Sequence, residues 1–138
     1  MKLRSYMLMG LGLALLAAPA VQAQQTPPGR DLTRHEWRLD SMTGGSTSLR
    51  ARPTLSFRAP DRLSGFTGCN RLSGSWSSSG GGQLSLNRMS PARHFCSHSL
   101  MIQETRFLGA LQTVNAYAVR PDGRLELTNG GGQKLVFH

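Results

Sequence analysis

The 138-residue sequence carries sixteen basic side chains against seven acidic ones, a formal charge of +9, together with 16 glycines and two cysteines. Its length suits one domain that buries a single core. The arginines are scattered at one or two per segment, with no basic run and no aromatic platform. A nucleic-acid footprint is therefore set aside for a solvated basic face with weak attraction to anionic surfaces.

At the amino terminus Lys2 and Arg4 precede an apolar run from Met7 to Ala18, and Val21-Gln22-Ala23 places small residues at the −3 and −1 positions of a cleavage site. This predicts a signal peptide over residues 1–23, cut after Ala23. The apolar run is shorter than the ~20 residues of a membrane-spanning helix, and no cysteine adjoins the site for lipid attachment. Cleavage leaves fourteen basic against seven acidic residues, a formal +7, on a periplasmic or secreted protein without a transmembrane segment. Residues 24–34, "QQTPPGRDLTR", are polar and proline-bearing, which predicts a flexible leader and a fold that begins near His35.

From there the chain reads in short alternating runs. Trp37 and Leu39, Leu55 and Phe57, Leu63, Leu72 and Trp76, then Leu84 and Leu86 mark half-buried strands. Turn chemistry separates them at "APDR" (59–62) and "SSSGGGQ" (77–83). After Tyr117, "RPDGR" (120–124) and "TNGGGQ" (128–133) divide a meander over 116–120, 124–128 and 134–138. Strands at this spacing point to a mainly β barrel or sandwich, and the expected form is a compact, strongly bent antiparallel sheet or barrel-like fold.

One segment has helical period. Leu100, Phe107, Leu111 and Val114 form a stripe, with Leu108 beside it, on an amphipathic helix spanning about 98–114. Ser97 or Ser99 can cap its first amides, and Asn115 is a stop. Glu104 falls inside the apolar stripe and needs a partner. The economical arrangement lays this helix across an open end of the sheet.

Between two predicted strands, "RLSGFTGCNRLSGSW" (62–76) places Cys69 at a turn. The other cysteine, Cys96, stands just before the helix, and in an oxidising compartment the two are expected to pair. The alternative use of this region is a metal or thiol site. On an extended strand His94, Cys96 and His98 of "HFCSH" face one way, but a disulfide at Cys96 removes the thiolate.

Taken together, "GFTGCNRLSGSW" (65–76), "ARHFC" (92–96), "ETRFLGAL" (104–111) and the closing "RLELTNGGGQKLVF" resemble, in order and spacing, the META-domain or HslJ-like family. The early "EWRL" and "LSF" runs fit as well, so the resemblance covers residues 35–138. Three positions depart from the family pattern: Ala92 stands for a threonine, His94 for a methionine and Leu72 for an aromatic residue. Gly68, Asn70, Gly74, Arg93 and Glu104 match it, and these are assigned structural roles. Asn70 bonds nearby backbone, and Arg93 is the expected ion partner of Glu104.

The resemblance implies a compact β-barrel-like sheet crossed by a helix, in bacterial envelope proteins associated with heat shock, drug tolerance or virulence. It supplies no catalytic residues. The sequence itself has no nucleophile elbow, phosphate loop, HExxH or closely paired carboxylates. The leading expectation is a non-enzymatic, monomeric envelope protein without a cofactor. It would meet a partner protein or an anionic lipid surface. The alternatives are a barrel holding a small apolar ligand, and the metal or thiol enzyme built on His94, Cys96 and His98.

Overall fold

Alternation of apolar and polar side chains builds the sheet strand by strand. Trp37, Leu39 and Met42 turn inward from β1 (Trp37–Met42), and Leu55 and Phe57 from β2 (Thr54–Arg58). Leu63 does so from β3 (Arg62–Phe66), Leu72 and Trp76 from β4 (Arg71–Ser77), and Leu86 from β5 (Ser85–Pro91). The helix α1 (His98–Thr113) follows, then β6 (Ala116–Val119), β7 (Leu125–Thr128) and β8 (Lys134–Phe137). The computed structural model describes Gly10, residues 12–23 and residues 26–138. The first part of the predicted signal peptide, and the two glutamines after its cleavage point, lie outside the described residues. Among the described residues no helix is long and apolar enough to cross a membrane.

Among the described residues eight antiparallel strands run in the order β5-β4-β3-β2-β1-β8-β7-β6. They form a strongly curled half-barrel with α1 packed across it, the mainly β class expected from the strand spacing. β1 is the joint. Trp37 and Arg38 pair with β2, Leu39 to Met42 pair with β8, and the register shifts between Leu39 and Ser41. The outer edges meet at one corner, where Leu84 N–H donates to Asn115 O at 3.1 Å and Tyr117 N–H to Gly82 O at 2.8 Å. Curling of this degree needs close backbone contact. On the inner face Gly65 sits between Leu55 and Leu72, and a Cβ there would lie 2.3 Å from the Thr54 carbonyl oxygen.

The interior is filled by Trp37, Phe57, Phe107 and Phe137 with the buried leucines of every layer. The helix contributes Gln103, Phe107, Ala110 and Leu111, followed by Val114 beyond its end. Three of the four expected stripe residues, Phe107, Leu111 and Val114, are thus buried, while Gln103 and Ala110 extend the buried face on one side and Leu100 and Glu104 at the other are only half-buried. Ser97 caps the helix, its Oγ accepting from Leu100 N–H at 3.4 Å.

The leader needs correction. Residues 30–33 form a 3₁₀ turn in which Leu32 is fully buried, and the Trp37 indole N–H donates to Leu32 O at 2.9 Å. Gly29 lies under Trp76, where a Cβ would be 2.5 Å from the ring. The fold therefore starts at Gly29. One leucine and a bonded indole suffice to order a segment whose composition is otherwise polar.

Candidate functional site

The β3–β4 turn, the loop before α1 and the first turns of α1 converge on one cluster. Thr67 and Asn70 are buried at the turn, closed by a Thr67 N–H to Asn70 O bond of 2.8 Å. The Thr67 hydroxyl accepts from Asn70 N–H at 2.9 Å and donates to Glu104 Oε2 at 2.5 Å. From Asn70, Nδ2 donates to the same carboxylate oxygen at 2.9 Å and to His94 O at 3.3 Å, while Oδ1 accepts from His94 N–H at 2.8 Å. One amide side chain thus fastens the loop and the helix to the turn, satisfying groups that burial would otherwise strand.

The glutamine at 103, buried on the next helical position, repeats this on the other side. Its Oε1 accepts from Ser48 N–H at 2.7 Å and its Nε2 donates to Ala51 O at 2.8 Å and Thr67 O at 3.2 Å. The backbone at Gly68 has φ +96°, and a Cβ would sit 2.1 Å from Gln103 Nε2, so only glycine lets this amide through. Cys69 and Cys96 are disulfide-bonded across the same junction, closing a loop with a sequence separation of 27. A loop of that length contributes about 3.5 kcal/mol by restricting the unfolded chain.

Residues 30–138 match the family model described as META domain. The chain belongs to the META domain family. Among curated proteins none matches it. An NMR structure of a Burkholderia xenovorans protein is 24% identical at TM-score 0.64, over 89% of this chain and 97% of that one. A second NMR structure is 25% identical at TM-score 0.61, covering 78% and 90% of the two chains. A crystal structure of a DUF4847-family protein from Bacteroides vulgatus, at 14% identity and TM-score 0.60, covers 79% and 94%. These likenesses establish the fold.

In this META domain the expected Arg93–Glu104 ion pair is replaced. The partners of Glu104 are the Thr67 hydroxyl and the Asn70 amide, and Arg93 is exposed. Neutral donors reach the half-buried carboxylate from the turn, so no cation need be desolvated for it. Gly74 lies apart from the cluster, on the inner face of β4 against Asn87 and Met89 of β5. The HFCSH alternative loses its thiol to the disulfide, and the rings of His94 and His98 are exposed. Thr67 and Gln103 are the members that sequence reasoning missed. Gln103 was detectable as the residue four before Phe107 on the buried stripe.

Two surfaces border the cluster. On the loop held by Asn70 and the disulfide, Phe95 projects 95% exposed. It shares a small pocket of about 350 Å³ with Pro91, Met101 and Glu104, and Arg93 and His94 stand beside it. On the outer face of β2–β5 lies a broader trough of about 910 Å³, lined by serines with Arg58, Arg71, Phe66 and Glu36. Away from both, Arg120 hydrogen-bonds Glu126, and Lys134 Nζ approaches the same oxygen at 3.4 Å. The Arg120 bond, aided by Lys134 and opposed by partial burial, holds the Glu126 carboxyl below its usual range.

Proposed function

We propose that this META-domain protein is exported, catalyses no reaction, and docks on anionic membrane surfaces of the cell envelope, supporting envelope integrity under stress. The observation that carries the reading is Phe95. A large apolar side chain is held in solvent by a disulfide and by two hydrogen bonds between Asn70 and the His94 backbone, one donated and one accepted by Asn70, at a tip that also presents Arg93 and His94. An aromatic ring beside the Arg93 cation suits the boundary between acyl chains and anionic headgroups. Burying Phe95 and placing Arg93 near phosphate would together supply about 3–4 kcal/mol, a weak and reversible attachment. The packed interior supports this reading over the apolar-ligand carrier, since core side chains occupy the barrel.

Vesicle flotation is the test. The chain should float with phosphatidylglycerol vesicles at low salt, stay behind with zwitterionic ones, and release as salt screens the charges over about 8 Å at physiological strength. Phe95→Ser should lose most of the binding while the unfolding midpoint holds. Equal flotation of Phe95→Ser and wild type would overturn the docking tip. A deletion strain with unaltered tolerance of heat and membrane-active drugs would remove the stress role.

A further inference from the structure

The trough on the outer face of β2–β5 follows from register. Ser56 pairs with Ser64, Ser64 with Ser73, and Ser73 with Ser90, so one row across four strands is serine throughout. The row on one side is Thr54, Phe66 and Arg71, and on the other Arg58, Arg62 and Ser75. Short side chains between Phe66 and Arg71 on one side and Arg58 and Arg62 on the other leave a channel that crosses the strands. At about 4.8 Å per strand, the four hydroxyls span roughly 14 Å. Ser73 Oγ donates a long 3.4 Å bond to Ser90 O, and among the described residues no protein hydrogen bond occupies the hydroxyls of Ser56, Ser64 or Ser90. Register is fixed on the far side by a bulge between Ser73 and Ser75, opposite Arg88, whose φ is +53°.

We propose that this trough binds an acidic polysaccharide laid across the strands. Hydroxyls both donate and accept, as sugar hydroxyls do, and their strand-to-strand spacing is close to the repeat of a pyranose chain, so successive sugars meet successive serines. Arg58 and Arg71, exposed on opposite sides of the row, stand where carboxylate or phosphate substituents would reach them. Phe66 offers one apolar face at the edge. A single half-buried aromatic ring favours a glycan over single-stranded nucleic acid, which needs a series of stacking platforms. Glu36 is the acid in the lining and sets a repulsive limit at that end. The trough meets the Phe95 pocket at Pro91 and Ala92, but Ser56, Ser64, Ser73, Arg58 and Arg71 lie outside that pocket, so variants at these residues and at Phe95 test the two surfaces separately.

The probe is a short oligogalacturonate, titrated into the disulfide-intact chain and followed by amide chemical shifts. Shifts should centre on Ser56, Ser64, Ser73 and Ser90 and leave residues 93–98 unmoved. Arg58→Gln with Arg71→Gln should weaken binding about tenfold. Ser64→Ala with Ser73→Ala, outward positions that leave the core intact, should weaken it at unchanged net charge. A neutral malto-oligosaccharide should bind less tightly. No binding of the oligouronate, shifts outside the trough, or indifference to the serine variants would overturn the proposal. So would equal or tighter binding of a single-stranded oligonucleotide of matched charge, which would reduce the site to a general polyanion surface.

Discussion

At the scale of single residues, Asn70 is the pivot of the junction. Its amide serves the turn, the loop and the helix at once, and its nitrogen faces a carboxylate at 2.9 Å. Replacing that nitrogen by oxygen sets two carboxylates against each other. Asn70→Ala should cost about 2 kcal/mol through unpaired groups, and Asn70→Asp more, about 3 kcal/mol, at neutral pH. Like charge raises the affinity of the pair for a proton in the folded variant. The excess loss in Asn70→Asp should therefore shrink as pH falls through that raised value and be gone below about 4, the ordinary carboxyl range. Denaturant midpoints of both variants at neutral and acid pH measure this; an Asp variant as stable as the Ala variant at neutral pH would show that the Glu104 contact is not electrostatic.

Among elements, the meander of β6, β7 and β8 carries the pH response already built into the protein. Glu126 in β7 is held below its usual range by Arg120 first and Lys134 second. The stability this contributes is present above the unfolded carboxyl value near 4.3 and is lost as pH falls through the lower folded value. Glu126→Gln should accordingly destabilise the protein at pH 7 and flatten its acid limb below about pH 4.5. Thermal melts across that range decide it, and an unchanged acid limb would count against the pair. These three strands were legible in the sequence, because Leu125, Leu127, Leu135 and Phe137 alternate and glycine turns bound them. The helix was legible in extent and, through Phe107, Leu111 and Val114, in most of its buried stripe, but the edge of that stripe at Gln103 was not. Buried Gln103 reads as polar, and its partners at Ser48, Ala51 and Thr67 come from loops that no local pattern connects. Glu104 was correctly singled out as a residue needing a partner, while its donors belong to a turn 34 and 37 positions away. The serine row was invisible for the same reason: four separate serines become one feature only when register is known.

For the molecule as a whole, the amino-terminal turn belongs to the core. Deleting residues 24–34 removes Leu32 and the acceptor of the Trp37 indole. The cost should be about 3 kcal/mol, read as a lower urea midpoint; an unchanged midpoint would return the segment to the flexible leader its composition implies. The pairing of β1 with β8 has a further consequence, one of timing. Leu39 and Met42 meet Phe137 and Leu135, so the first strand synthesised waits for the last before its second half has a neighbour. Loop closure over nearly the whole domain must precede that reward, which slows completion of the fold. Until residues 134–137 arrive the half-barrel cannot close, and on the proposed export route such a delay would keep the earlier segments extended enough to thread a membrane.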